Sequence, residues 1–565
     1  MMIEIEVNGR KIKTQKGELI LDTLKANGIH VPTLCNLEGF KPSGACRICV
    51  VEVEGRNDLV PSCSFFIEES MKIQTHSARV IQARKTILEL LLSNHDDACL
   101  SCDRGRWCKL HELAFELNVT ERKFGRTAGR KKIDNTSQAI IRDPSKCILC
   151  SRCVRVCEEL QHVAALDFLK RGSRTEVGTV LDKGLNYSSC ISCGQCIQVC
   201  PTGALKEKSH LDQVGALLQN KDKVPVAMID PAVFATLGEF FGYKAGPEFS
   251  SILINALKRI GFQKVYGTGW GAEYQAGRLA GILIDKNPDE NDTPLIFSEC
   301  PSVVRYISQS RPALLSRLVP LKPANQIMAH LLRELTCNQT GKSKSDVSIV
   351  YLTSCTASKN ETTAAMRIKG SGFLPDFSLT TREVYRLIRL YGIDVESLNP
   401  EFQEDFFGVG AKSGQLGAIS GGNIEMLTRI IQARIPEANL SGEKAGKLRG
   451  IKDVKETTCE FNGKKLTLAS ISSITQFENY YKEIRSKHRK VDLLEVMACQ
   501  HGCINGGGQP CRGAERNLRN RMKGVLEWDD RFSGIMTKDH LDLPSDLILN
   551  DEDCQAVFSP RQITK

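Results

Sequence analysis

The sequence predicts a multidomain α+β protein, and three observations carry that expectation. At 565 residues the chain exceeds what one hydrophobic core supports. A cysteine pattern occurs twice, as Cys147-x2-Cys150-x2-Cys153-x3-Cys157 and as Cys190-x2-Cys193-x2-Cys196-x3-Cys200-Pro201. After about residue 210 the pattern changes to apolar strand candidates alternating with helical stretches, which reads as an α/β domain.

Composition narrows the chemistry. With 41% hydrophobic and 25% charged residues the chain is ordinary globular material, neither disordered nor fibrous. No apolar run reaches eighteen residues, and Met2-Ile3-Glu4-Ile5-Glu6-Val7 alternates like a strand rather than a signal peptide, so a cytoplasmic protein with no membrane contact is expected. Twenty-three cysteines in tight clusters then argue for metal sites over disulfides, in a reducing and anaerobic setting. The net charge of +10 is spread out except from Arg122-Lys123 to Arg130-Lys131-Lys132. That run reads first as a solvated inter-domain loop and second as a docking surface for an acidic electron carrier, with no nucleic acid expected.

Taken in order, residues 1–79 open with Ile3, Ile5 and Val7 alternating, a turn at Asn8-Gly9, and Lys11-Ile12-Lys13, the pattern of a hairpin. A short helix near Glu18 to Ala26 follows, then Cys35, Cys46, Cys49 and Cys63, with Gly44 giving a tight loop. The ten residues between Cys35 and Cys46 depart from the plant-type spacing, but the flanking β-grasp pattern suits a [2Fe-2S] ferredoxin better than a structural zinc. Residues 80–125 carry an amphipathic helix, with Ile81, Ile87, Leu88, Leu91 and Leu92 as its apolar positions, followed by His95, Cys99, Cys102 and Cys108. One nitrogen and three sulfurs suit zinc and a [4Fe-4S] cluster equally on spacing alone.

Residues 126–210 hold the repeat, which matches the bacterial two-cluster ferredoxin signature in which the fourth cysteine of each run ligates the other cluster. The implied sets are Cys147, Cys150 and Cys153 with Cys200, and Cys190, Cys193 and Cys196 with Cys157. In residues 211–511, Val224–Ile229 and Ser348–Leu352 read as parallel strands whose ends carry a site. Gly267-Thr268-Gly269-Trp270-Gly271 and Gly421-Gly422 lack a dinucleotide fingerprint and read as close backbone packing. Residues 512–565 read as a charged, loop-rich tail with Trp528 and Phe532 as anchors. Cys337, Cys459, Cys511 and Cys554 read as small apolar residues, and His501 as bonded to its own loop.

The stretch around which the α/β part is organised is Cys499-Gln500-His501-Gly502-Cys503-Ile504-Asn505-Gly506-Gly507-Gly508-Gln509-Pro510. Thiolates at i and i+4 can share one helical face, and the glycines let backbone close around what they hold. Ser298-Glu299-Cys300-Pro301 and Thr353-Ser354-Cys355 through Glu361 complete a set of four thiolates, Cys300, Cys355, Cys499 and Cys503, enough for a cubane.

These three segments resemble the signature regions of the [FeFe] hydrogenases, and the resemblance covers nearly the whole chain. It implies an H-cluster, a [4Fe-4S] cubane joined through one thiolate, here Cys503, to a two-iron unit carrying CO and cyanide. It also implies an [FeFe]-hydrogenase-type catalytic domain over 211–511, a small-subunit-like segment over 512–565, one [2Fe-2S] cluster and three accessory [4Fe-4S] clusters, with His95 a ligand of one. Protons and H2 become the candidate substrates; ferredoxin or another redox carrier, and redox partner subunits, become the candidate partners.

Around the implied two-iron unit the sequence departs from the family. Glu299 replaces the cysteine that passes protons to the cluster, and a carboxyl raised by burial can take that role. Leu279 and Ile282 stand where relatives place acidic relay residues, and apolar side chains carry no protons. Ser358 replaces a lysine that pairs with cyanide, and Lys359, about 100° further round a helix, is no automatic substitute. Asp230 adds a carboxyl before Pro231, Thr353 replaces a methionine, and Met497 remains to pack against the unit. Two readings follow: a variant hydrogenase of low turnover, with Glu299 as proton donor, or a hydrogenase-derived electron-transfer or sensory subunit, or reductase of another substrate.

Overall fold

The structure, a computed structural model, describes residues 1–532 apart from 97, 122, 126–131, 286–292, 298, 366–373, 402–412, 436, 439–447 and 511–514. Arg122, Arg130, Lys131, Ser298, Cys511, Cys554 and the end of the tail lie outside the described residues. The chain divides into two units. The first takes residues 1–158, 164–188 and 199–206, and the second takes 159–163, 189–198 and 207 onward.

In the first unit, Met2–Val7 and Arg10–Gln15 pair antiparallel across Asn8 and Gly9, whose positive φ angles of 51° and 83° are those a two-residue hairpin turn needs. Lys72–Gln74, Val50–Val53 and Val60–Pro61 extend this into a five-stranded sheet. The helix Ile20–Ala26 buries Ile20, Leu21 and Leu24 against Ile5, Val7 and Ile73. Ser77 caps the helix Ala78–Ser93 by accepting from the Val80 N–H. Leu88 from that helix is buried with Leu110, Leu113, Cys35 and Ile148, joining three cysteine-bearing segments in one core. Ile87, Leu91 and Leu92 pack at its edge, whereas Ile81, expected on the apolar face, is exposed.

The second unit is built on two four-stranded sheets. One is wholly parallel, in the order Lys264–Gly267, Val224–Ile229, Val347–Thr353, Phe377–Thr380. All thirteen residues of its two central strands are buried, as expected of strands covered on both faces. In the other, Leu295–Ile296, Leu493–Met497 and Lys464–Ser472 run parallel and Val454–Phe461 pairs antiparallel at the edge. The glycine-rich stretches do serve close packing: a Cβ on Gly271 would lie 2.7 Å from the Ala324 carbonyl oxygen, and one on Gly422 only 1.8 Å from that of Leu416. Cys459 is fully buried in an apolar core, and Cys337 packs at the edge of another.

The loop-rich expectation for residues 512–565 is corrected over Glu515–Phe532, which form an α-helix. Leu518, Met522 and Val525, four and three residues apart, make the buried stripe that the surrounding charges obscured. Trp528 lies on Phe234, at 5.4 Å between ring centroids. Buried Asp529 accepts from Arg429 and Arg449, at 2.7 and 2.9 Å, so the charges anchor the helix as well as solvate it.

Candidate metal centre

Each predicted cysteine of the second unit's site lies just beyond the carboxyl end of a parallel strand. Leu295–Ile296 leads to Cys300, Val347–Thr353 to Cys355, and Leu493–Met497 to Cys499 and then Cys503. Two sheets therefore aim three sequence-distant segments at one place, where strand ends of open α/β sheets normally carry ligands. All four cysteines line a single cavity with about 960 Å³ of non-atom space.

Burial pushes the Cys355 thiol up to about 11, with Cys300 adding to the shift. It raises Cys499 further, with the Cys300 and Cys355 thiols as the next cause, and Cys503 as well, where the Asp230 carboxyl comes next and the neighbouring thiols after it. Enclosed thiols gathered in this way bind soft metal by giving up protons, and four of them facing one volume fit a cubane. Polar hydrogens already face the sulfurs: the backbone amide of Gly507 and the side-chain amide of Gln195 favour the Cys499 thiolate, and the backbone amides of Ala357 and Ser358, with the Ser358 hydroxyl, favour that of Cys355.

The predicted reactive residues divide on inspection. Glu299, Ser358, Met497 and Asp230 all line the cavity. Glu299 accepts from the Ala324 N–H at 3.1 Å, and Ser358 donates to the Cys355 carbonyl at 3.0 Å. Asp230 is buried and caps the helix Pro231–Thr236, taking the Ala232 N–H at 2.7 Å. Its other oxygen receives the hydroxyls of Tyr351 and Ser354, at 3.2 and 3.3 Å, while burial drives its pKa upward. Lys359 turns away from the cavity. Its ammonium is fully buried against Glu383, 2.9 Å away, and donates to the Ser378 carbonyl, also at 2.9 Å. Leu279 is buried in an apolar core with Ile282 packed against it, so neither offers a proton relay.

The charge of the lining follows from this. Asp230, Glu299 and Glu495 face the cavity, and among its described lining residues there is no Lys, Arg or His. A two-iron unit with anionic ligands fits such a lining only when carboxyls are neutral. Burial pushes both Asp230 and Glu495 in that direction. The cubane therefore fits the donor set outright, and the two-iron unit fits conditionally.

Several residues that hold this site were not singled out from sequence. Arg382 meets Glu207 through two nitrogens, Nε at 3.1 Å and Nη2 at 2.9 Å, and also donates to the carbonyls of Gln509 and Gly507, at 2.5 and 2.7 Å. Burial alone would raise Glu207, but Arg382 pulls it down to about 2. Gln198 donates to the carbonyls of Gly506 and Gln509, at 2.6 and 2.9 Å. The chain's one legible signal for Arg382 is the Thr380-x-x-Glu383 capping box that fixes its helix start. His501 has a positive φ of 65°, and its carbonyl accepts from the Ser420 N–H.

The first unit gathers its cysteines separately. Cys35 is hydrogen-bonded to both Cys46 and Cys63, and Cys49 to Cys63, so these four thiols converge. Cys147, Cys150, Cys153 and Cys200 line one cavity with about 450 Å³ of non-atom space, where burial pushes Cys150 up to about 12. His95 is buried, Cys102 and Cys108 are half-buried and Cys99 is exposed. Cys102 abuts Gly203, where a Cβ would lie 2.6 Å from its sulfur. Cys157 belongs to the first unit, and Cys190, Cys193 and Cys196 to the second. Among the described residues no disulfide links these cysteines, and no three His, Cys, Asp or Glu side chains are grouped as a single metal ion requires. No described helix is long and apolar enough to cross a membrane.

Four family models match this chain. Residues 223–507 match the iron-only hydrogenase large subunit, C-terminal domain, and residues 1–78 match a 2Fe-2S iron-sulfur cluster binding domain. Residues 84–123 match the NADH-ubiquinone oxidoreductase-G iron-sulfur binding region, and 137–206 the ferredoxin-like domain of NADH-quinone oxidoreductase subunit 3. The NADP-reducing hydrogenase subunit HndD of Solidesulfovibrio fructosivorans is 31% identical over 94% of this chain and 92% of its own length. Iron hydrogenase 1 of Clostridium pasteurianum is 30% identical over 90% of this chain and 89% of its own. A solved [FeFe]-hydrogenase of Chlamydomonas reinhardtii, 20% identical, covers 56% of this chain and 88% of its own with a TM-score of 0.47. The chain therefore belongs to the [FeFe], or iron-only, hydrogenase family, as an iron–sulfur oxidoreductase whose accessory domains resemble those of NADH-quinone oxidoreductase.

Proposed function

We propose that this protein relays electrons from a soluble carrier such as ferredoxin, or from a partner subunit, to an H-cluster-type site that turns over protons and H2 slowly. The relay comprises one [2Fe-2S] cluster on Cys35, Cys46, Cys49 and Cys63 and three accessory [4Fe-4S] clusters. One of these uses His95 with Cys99, Cys102 and Cys108, and the other two use the crossed sets of the repeat. The domains run 1–79, 80–125, 126–210, 211–511 and 512–565, in a reducing cytoplasmic setting where such thiolates persist.

The observation that carries the reading is the convergence of Cys300, Cys355, Cys499 and Cys503 on one cavity with Glu299 and Met497 in its wall. When bound, the cubane supplies one-electron storage beside that pocket. Glu299 holds the exchangeable proton, Met497 contributes apolar contact, and Asp230, Ser358 and Tyr351 order the polar wall. A relative named as a subunit of an NADP-reducing hydrogenase supports the partner-subunit alternative to ferredoxin.

A second reading, an electron-transfer or sensory protein or a reductase of another substrate without H2 turnover, is favoured by the lining's three carboxyls and by Lys359 being held by Glu383. Infrared spectra of protein matured with the hydrogenase assembly factors separate the two. Bands from CO and cyanide support the first reading, and their absence from protein with a full cubane overturns it. With the bands present, Glu299→Cys is expected to raise H2 evolution. No gain would show that the missing Leu279 and Ile282 relay, rather than the donor, limits turnover.

A further inference from the structure

We propose that Gln195 is a positioning residue that holds the Cys499 sulfur and sets the reduction potential of the cubane. Gln195 sits between two predicted accessory-cluster ligands, Cys193 and Cys196, on the short helix Gln195–Val199. It is fully buried. Its side-chain amide nitrogen lies 3.2 Å from the Cys499 sulfur and 2.9 Å from the Asn505 carbonyl oxygen.

The orientation of that amide is fixed by chemistry. The Asn505 carbonyl only accepts, so the NH2 end must face it, and the second proton of the same nitrogen is then directed at the sulfur. The amide oxygen at the other end has no hydrogen-bond partner among the described residues, so nothing there competes for the reverse orientation. Backbone packing keeps the two segments in register. Gly194, at φ 70°, has no room for a Cβ, which would stand 2.2 Å from the Thr356 hydroxyl oxygen and 3.0 Å from the Gly507 Cα. A Cβ on Gly507 would in turn meet the Cys193 carbonyl oxygen at 2.2 Å.

A hydrogen bond to a cluster thiolate stabilises the more negatively charged, reduced cluster and raises its potential. Gln195 thus contributes from the segment carrying one predicted cluster to the sulfur of the next, at the point where an electron is handed over. Gln198, three residues on and on the same helix face, is the natural comparison. It pins the same loop through the Gly506 and Gln509 carbonyls, and among the described residues neither of these bonds goes to a sulfur.

This inference rests on the reading that Cys499 ligates a cubane, and the test keeps the two apart. Full-length protein produced without the hydrogenase assembly factors is titrated electrochemically under EPR, with the cubane component assigned as the signal lost in Cys499→Ala. Gln195→Leu is expected to move the midpoint of that component to more negative potential and to change its line shape, with the accessory signals in place. Gln198→Leu is expected to leave the midpoint where it is. An unmoved midpoint in Gln195→Leu, or an equal shift in Gln198→Leu, overturns the role of Gln195 while leaving the cubane standing. If no signal is lost in Cys499→Ala, both the cubane reading and the inference fall.

Discussion

Arg382 offers the sharpest test of how the third cysteine segment is held. Arg382 and Glu207 are each 4% exposed, so replacing the arginine by methionine preserves much of the volume but leaves a buried carboxylate alone. It also strips a donor from the Gly507 and Gln509 carbonyls. Breaking one partner of a buried ion pair costs about 3–5 kcal/mol, and the donors lost to the Gly507 and Gln509 carbonyls, the latter still held by Gln198, add to it without simple additivity. Because the loss falls on one loop, native-state hydrogen exchange reads it directly. The Gly508 N–H, bonded to the Ser354 carbonyl at 2.8 Å, is the reporter. A local loss of about 3 kcal/mol accelerates its exchange by roughly two orders of magnitude, since about 1.4 kcal/mol is tenfold. Adding Glu207→Gln removes the orphan charge and is expected to restore part of the protection. Unchanged exchange in Arg382→Met, or a double variant no better protected than the single, would refute the clamp.

Further outcomes follow from the same structure. Cys150→Ala is expected to lower bound iron by about four atoms per chain and to remove one EPR component, as measured by iron assay and spectroscopy. Cys355→Ala is expected to do the same to a different component. His210 is pushed down to about 3, first by burial and then by nearby Lys359. The unfolded chain takes up this proton near 6.5 while the fold resists it, so acid destabilises the protein below that pH. Between pH 6.5 and 5 the linkage amounts to about 2 kcal/mol, and His210→Gln should flatten that limb of the thermal midpoint against pH. Asp529→Ala is expected to loosen the helix Glu515–Phe532 by about 2–4 kcal/mol, because Arg429 and Arg449 lose a buried partner; faster exchange confined to that helix would show it.

What was legible from sequence is what local chemistry dictates. The Asn8-Gly9 turn needs left-handed backbone, and Val224–Ile229 is apolar without alternation because both faces are covered, so each announces its structure in a few residues. That Cys147, Cys150, Cys153 and Cys200 line one cavity is legible because a short loop can gather three thiols and the repeat points to the fourth. The helix Glu515–Phe532 is hidden in the sequence because twelve of its eighteen residues are polar, charged or glycine and obscure the Leu518, Met522, Val525 stripe.

The cysteine inventory, the family and the identities of Glu299, Ser358 and Asp230 are readable from the chain alone, since these are residues at positions and need no coordinates. Tertiary structure alone decided where their charges point. That Lys359 faces Glu383, leaving no cation among the cavity's described lining residues, and that Arg382 and Gln195 reach the third segment from far along the chain, are facts about side-chain direction and long-range packing. Such contacts arise from the meeting of two sheets' strand ends, and no local periodicity in the chain encodes them.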